Sequence, residues 1–237
     1  SSITGENSSK LDLLVDSVAA ATKRGQQVIV VTSGAIATGM PLLGFDSKPE
    51  DLATSQALAS VGQSRLISRY QTSLERYGLV AGQVLLTAGD LEGEETSGNA
   101  NAALERLLEL GVVPIVNEND TVATTEIRFG DNDRLAALVA VLAKADALIL
   151  LSDVDALYTL PPSEPGAERI AKVAFEDEPN AQIGGSVSKV GTGGAITKVS
   201  AAKHAGEFGV SVLLTSALNV SKALDGHDVG TWFEAKG

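Results

Sequence analysis

The chain has 237 residues and a mass of 24.3 kDa, enough to bury a sizeable core within one α/β domain. It contains no cysteine, which excludes a disulfide framework, thiolate metal ligation and a cysteine nucleophile. A net charge of -12 and a pI near 4.6 oppose nonspecific binding to DNA or RNA, so no nucleic-acid partner is expected. Any small anionic ligand must instead be met by a few locally gathered cations and backbone donors.

The opening residues SSITGENSSK lack the charge-then-apolar pattern of a signal peptide, and no apolar run reaches the length of about eighteen residues that a membrane span needs. A cytoplasmic protein without membrane contact is expected. Leu11, Leu14, Val15 and Val18 recur at helical spacing and are followed by Lys23, Arg24 and Gly25, a basic last turn with a glycine stop. Strands are predicted over 28–31, 84–86, 112–116, 147–151 and 210–214. Their continuous β-branched runs suit parallel strands covered on both faces. Helices are predicted over 49–77 with a break near Gly62, then over 100–110, 133–144 and 196–208. This alternation predicts an α/β fold with an open, mostly parallel central sheet sandwiched by helices, in which ligands sit at the carboxyl ends of strands. The stretch 158–169 holds Pro161, Pro162, Pro165 and Gly166 and reads as a surface loop, and Glu92, Glu94 and Glu95 read as a solvated acidic loop.

Five strand-end or helix-start segments are dense enough in polar groups to carry chemistry. Thr32-Ser33-Gly34-Ala35 follows the first strand, where a hydroxyl and backbone N–H groups can converge on an anion; a small glycine-eased turn explains it equally well. Asn117-Glu118-Asn119-Asp120 packs two carboxamides and two carboxylates behind the strand 112–116. That set suits a zwitterion, with a carboxylate for an ammonium group and a carboxamide N–H for a carboxylate, though Asn and Asp also favour turns for local reasons. Gly130-Asp131-Asn132-Asp133 precedes Arg134 and Leu135 and supplies more polar groups than one helix cap requires. Ser152-Asp153-Val154-Asp155 ends another strand and reads as nucleotide contact, magnesium contact or a solvated turn. Gly191-Thr192-Gly193-Gly194-Ala195-Ile196-Thr197-Lys198 is a glycine-rich loop running into a helix with a lysine in its first turn. It matches neither the Walker A nor the dinucleotide pattern, but offers the same physics of unhindered N–H donors and one mobile cation around phosphate oxygens. His204, His227 and Trp232 read as structural.

Taken together and in this order, SGAIATG, ASVGQ, VVPIVNENDTVATTEIRFGDNDRLAALVA, LLSDVDALY and VGTGGAITK resemble the glutamate 5-kinases over residues 26–215, the NENDTV and FGDND pair being the specific part. Kinases of acetylglutamate, aspartate, carbamate and UMP share the fold and the glycine-rich loop but differ at the strand ends. The resemblance implies an amino acid kinase domain over 1–237 that phosphorylates the γ-carboxylate of L-glutamate with ATP and Mg²⁺, the first step of proline biosynthesis. It implies that Ser33, Asp120 and Asn132 bind glutamate with Asn117 and Asp131 close by. It further implies that Ser152, Asp153, Thr192, Gly193, Gly194, Ala195, Ile196, Thr197 and Lys198 bind the nucleotide. Lys198 is expected on the transferring phosphoryl group and Asp133 as organiser of the catalytic lysines, since a carboxylate acceptor arrives ionised and needs no base. No residue is assigned as a metal ligand.

The family's other lysine lies in a lysine-x-glycine-serine/threonine motif on the first strand. Ser1-Ser2 resembles the tail of that motif, so the first strand is expected to be cut short, and no C-terminal PUA domain is expected after Trp232-Phe233. Proline as feedback inhibitor, homo-oligomerisation and a glutamyl-phosphate reductase partner are also implied. The alternatives are a related kinase with another carboxylate or phosphate acceptor, and a non-catalytic glutamate- or nucleotide-binding regulatory subunit.

Overall fold

Helices and strands alternate along the chain as the hydrophobic pattern predicts. The computed structural model describes residues 6–122, 132–160, 162–177 and 191–237, its side chains from residue 10 onward and, in the last segment, from residue 196. The chain divides into two units, Ser1–Leu135 and Ala136–Gly237, the division falling inside one helix.

In the first unit, helix α1 (Glu6–Lys23) ends at Gly25, whose φ of 84° is a left-handed conformation that favours glycine. Strands β1 (Val30–Val31), β2 (Val80–Leu86) and β3 (Val112–Glu118) form a parallel sheet with β3 in the centre. Between β1 and β2 lie the five-residue helix α2 (Ala35–Gly39) and the 24-residue helix α3 (Leu52–Glu75). Asp51 caps α3 by accepting the Thr54 N–H at 2.8 Å. Val15 and Val18 of α1, Leu66, Tyr70 and Leu74 of α3, and Val30, Val113 and Ile115 of the sheet form one core cluster. Short helix α4 (Ala88–Glu92) and helix α5 (Glu94–Glu109) connect β2 to β3, and helix α6 (Asn132–Leu142) follows.

In the second unit, β4 (Ala147–Ser152) pairs in parallel with β8 (Ser211–Ser216), which pairs antiparallel with β9 (Thr231–Phe233); β9 in turn carries β7 (Lys172–Val173) in parallel. Strands β5 (Leu157–Tyr158) and β6 (Arg169–Ile170) form a small antiparallel pair. Helices α7 (Gly191–Glu207) and α8 (Val220–Leu224) complete it. Val212, Leu213, Leu214, Leu157, Ala201, Ala202, Ala205 and Phe233 are buried and make the core of this unit.

Several expectations are corrected. Helix α3 runs unbroken through Gly62, because a Cβ there would collide with the Ala35 carbonyl oxygen: the glycine serves close packing of α2 on α3 rather than a break. Glu94 and Glu95 are not a loop but the first turn of α5, where carboxylates complement the positive helix end. The stretch 158–169 is edged by the β5–β6 pair, with the Thr159 N–H donating to the Glu168 carbonyl at 3.0 Å; Pro161 lies outside the described residues. Helix α7 begins at Gly191, so Lys198 is the eighth helical residue, beyond the first turn.

Candidate active site

The carboxyl edge of the first unit's sheet carries Ser33, Asn117 and Asp120, three of the expected acceptor-side residues. The Thr32 N–H donates to the Val116 carbonyl at 2.8 Å, which extends the β1–β3 pairing and sets Ser33 beside the chain that continues into Asn117. The Thr32 hydroxyl lies 2.9 Å from the Tyr70 hydroxyl on α3. Burial pushes the Tyr70 phenol up, and the bond with Thr32 opposes that shift. Gly34 takes a φ of 95° and turns the chain into α2; Ser33 itself is exposed. With five residues, α2 is too short for its dipole to add much to an anion site, so the expected helix-end contribution at this turn is minor.

Asn117 and Glu118 are 2% and 5% exposed at the end of β3. The Glu118 N–H donates to Asn117 Oδ1 at 2.9 Å, which fixes the orientation of the carboxamide. Asn117 Nδ2 is then a buried donor with no partner among the described residues. Such a group costs about 1–3 kcal/mol when left unmet. Across the sheet the Asn119 N–H donates to the Leu86 carbonyl, and the Val122 N–H closes the turn on the Asn119 carbonyl. Asp120, half-buried, has its carboxyl held above the ordinary carboxylate value by desolvation, with the Lys48 ammonium pulling the other way. Lys48 was not singled out from the sequence; no strand-end signal marks it. A small pocket against α3 is lined by Thr32, Gln63, Gln83 and Asn117 together with Leu66, Ile67 and Ile115.

Asn132 opens α6, and its Oδ1 is buried without a partner among the described residues. Arg134 reaches Glu92 at 3.0 Å, which ties the start of α6 to the end of α4, the helix that follows β2. Asp133 lies between them, half-buried. Asp131 lies outside the described residues. Thus Ser33, Asn117, Asp120 and the Asn132–Asp133 helix start belong to one unit; Ser33 follows β1, Asp120 follows β3, and Asn117 lies near the end of β3 in the same sheet. Asn101 Oδ1 on α5 is a further buried acceptor without a partner among the described residues; the sequence does not mark it, since nothing in its helical surroundings sets it apart.

In the second unit, Ser152 is the last residue of β4 and half-buried, whereas Asp153 and Asp155 are exposed. The loop is secured from below: the Thr215 hydroxyl donates to the Asp155 carbonyl at 3.1 Å, the Leu157 N–H donates to Thr231 Oγ1 at 2.8 Å, and that hydroxyl donates to the Ile170 carbonyl at 2.6 Å. Both threonines are fully buried. Gly230, with a φ of 70°, is required there because a Cβ would meet the Leu214 carbonyl oxygen. The Tyr158 hydroxyl donates to the Asp155 carboxylate; burial first, and then this bond, raises the phenol above its ordinary value. Ile196, Thr197 and Lys198 follow one another on α7, exposed, half-buried and half-buried. Thr192, Gly193, Gly194 and Ala195 form part of the first turns of the same helix, and their side chains lie outside the described ones.

The sequence model of the amino acid kinase family matches residues 1–216. The chain is 64% identical over 234 residues to the glutamate 5-kinase of Clavibacter sepedonicus, covering 98% of this chain and 90% of that one. It is 63% identical over 238 aligned positions to the glutamate 5-kinase of Clavibacter michiganensis subsp. michiganensis, covering 100% and 92%. Among solved structures it resembles the product complex of the isopentenyl phosphate kinase of T. acidophilum, with a TM-score of 0.63 and 16% identity over 96% of this chain and 91% of that one, a likeness of fold alone. The strand-end motifs, the α/β architecture and these relatives agree: the chain belongs to the amino acid kinase family.

Proposed function

We infer that the chain transfers the γ-phosphoryl group of ATP to the γ-carboxylate of L-glutamate, giving γ-glutamyl phosphate and ADP, the reaction that opens proline biosynthesis. The observation that carries this reading in the structure is the Asn117 carboxamide, oriented by the Glu118 N–H and left with a buried, unmet donor in the same turn as the half-buried carboxylate of Asp120. An unmet amide N–H and, three residues along, a desolvated carboxylate are complementary to the α-carboxylate and α-ammonium of an amino acid. Ser33 and Asn132, whose Oδ1 has no partner among the described residues, complete the acceptor set, and Asp131 belongs with them by family resemblance.

The nucleotide belongs with Ser152, Asp153 and the segment of Thr192, Gly193, Gly194, Ala195, Ile196, Thr197 and Lys198. Glutamate arrives as a carboxylate, so no base is needed, and what the chain supplies is alignment and charge stabilisation. Lys198 neutralises charge on the phosphoryl group in transit, and Asp133 orients the catalytic lysines. Among the described residues no three His, Cys, Asp or Glu side chains are grouped to hold a metal. Magnesium dehydrates reluctantly and is commonly held by substrate phosphates with one or two carboxylates; bound with the nucleotide it would offset phosphate charge. Among the described residues no helix is long and apolar enough to cross a membrane. Feedback by proline at the glutamate site, homo-oligomerisation and delivery of the labile acyl phosphate to a glutamyl-phosphate reductase follow from the family resemblance as proposals of the same reading.

The test is ATP turnover with Mg²⁺, trapping the acyl phosphate with hydroxylamine and running L-glutamate, aspartate and acetylglutamate in parallel. Hydroxamate with glutamate alone is expected. Equal or greater hydroxamate from another acid would replace glutamate as the acceptor.

A further inference from the structure

Two neighbouring residues of α3 touch the two strand-end turns that carry the acceptor groups. Gln63, 7% exposed, donates from Nε2 to the Glu118 carbonyl at 3.1 Å, at the centre of the turn that holds Asn117 and Asp120. Gly62, directly before it, packs against the Ala35 carbonyl so closely that no side chain fits, and Gly39 of α2 packs in the same way on the Leu58 carbonyl of α3. Two turns farther along α3, Tyr70 meets the Thr32 hydroxyl. The same helix therefore grips the chain after β1, where Ser33 sits, and the end of β3, where Asn117 sits.

A hydrogen bond between a buried side chain and a turn carbonyl is an expensive way to fill space, because either group would be left unsatisfied without the other. Glu118, whose N–H orients the Asn117 amide, is also the residue whose carbonyl Gln63 holds, the two groups lying on successive peptide planes joined at its Cα. Releasing the carbonyl frees the Glu118 backbone and with it the bond that orients the Asn117 amide.

We propose that Gln63 is a positioning residue for the acceptor amino acid: acting through the Glu118 carbonyl, it sets the Asn117–Asp120 turn in register with the Ser33 turn that Gly62 holds against α3. The proposal rests on glutamate being the acceptor, and it makes α3 part of substrate selection without contact between Gln63 and substrate.

The experiment compares the full chain with Gln63→Met and Gln63→Glu. The Met variant keeps the length and loses the donor. Its KM for glutamate should rise about three- to tenfold, the effect of one hydrogen bond, with KM for ATP unchanged within about twofold. Amide hydrogen exchange over residues 117–122 of the ligand-free Met variant should quicken. In the Glu variant a carboxylate faces the carbonyl, so its KM for glutamate should exceed that of the Met variant at about pH 8 and fall as the pH is lowered toward about 6, where a buried carboxyl regains its proton and can donate. The wild type and the Met variant should show no such recovery. Unchanged exchange over 117–122, or an equal rise in both KM values, would overturn the proposal. If the wild type itself gives no hydroxamate with glutamate, the functional reading fails, and the exchange measurement still decides whether Gln63 holds the turn.

Discussion

The strand ends of the two units are built on opposite plans. In the first, the polar side chains are withdrawn from solvent with bonding capacity left over: Asn117 Nδ2 and Asn132 Oδ1 are buried and unpartnered among the described residues, and Asp120 is desolvated enough to resist ionisation. In the second, the carboxylates of Asp153 and Asp155 face solvent, while the effort goes into the backbone, which Thr215 and Thr231 hold from beneath. Buried unmet groups discriminate strongly, because an analogue that cannot satisfy them leaves them stranded. A backbone held in place grips phosphates through shape and tolerates change in its outward side chains. On the proposed reading, the first unit chooses the acid and the second grips the nucleotide, and variants on each side should separate the two KM values.

The largest effect is expected from Lys198, proposed to act on the phosphoryl group in transit. Lys198→Ala should lower kcat by about a hundredfold to a thousandfold, the usual consequence of losing one preorganised stabilising group, with little change in KM for glutamate. A variant whose KM rises while kcat holds would make Lys198 a ground-state binder and blur the division. Next comes Asn117→Asp, which replaces the unmet donor with an acceptor at nearly constant volume. Glutamate KM should rise about ten- to a hundredfold, as for a lost hydrogen bond to a charged group, and KM for ATP should stay put. Steady-state kinetics with each substrate varied in turn decides it; parallel changes in both constants would mean the turn is only a scaffold.

Much of this plan could be read from the sequence where polar clusters directly follow apolar runs. PIVNEND and LILLSDVD place Asn117, Asp120, Ser152 and Asp153 at strand ends by pattern alone, and the structure puts them there. Local signals misled where a distant contact decides. Gly62 reads as a helix break by propensity, yet the Ala35 carbonyl needs the missing side chain. Gln63 bonds to Glu118 fifty-five residues away, and no spacing rule connects them. Glu94 and Glu95 read as a charge run because their helix-dipole role depends on where α5 starts, and helix boundaries are set less sharply by sequence than helix existence. The placement of Lys198 in the second turn of α7 was missed for the same reason.

A smaller effect is expected on the nucleotide side. Thr215→Val keeps the shape of a fully buried residue and removes the donor to the Asp155 carbonyl. The loop loses one hydrogen bond worth about 1 kcal/mol, so KM for ATP should rise about fivefold, with KM for glutamate unchanged. An unaltered KM for ATP would remove the backbone-grip explanation for this loop.

The smallest expected change is in stability, and it tests whether acceptor binding is built at a cost. Burial raises the Asp120 carboxyl above 3.8, the Lys48 ammonium offsetting part of that shift. The folded state then binds the proton more tightly than the unfolded state, so this group makes the protein less stable as pH rises from the unfolded value through the folded one, and the penalty is fully present above it. Asp120→Asn removes the ionisation. It should raise Tm at pH 7 by at most about 4 °C, and the gain should shrink on acidification and vanish below about pH 3.8, where the native carboxyl is neutral in both states. Glutamate should stabilise the wild type against heat and leave the Asn variant unmoved, since ligand that binds only the folded state raises Tm. Thermal melts from acid to neutral pH, with and without glutamate, read both arms. A variant less stable than the wild type at pH 7 would show that Lys48 outweighs burial, making Asp120 a structural ion-pair partner and moving the ammonium contact of the acceptor elsewhere in the turn.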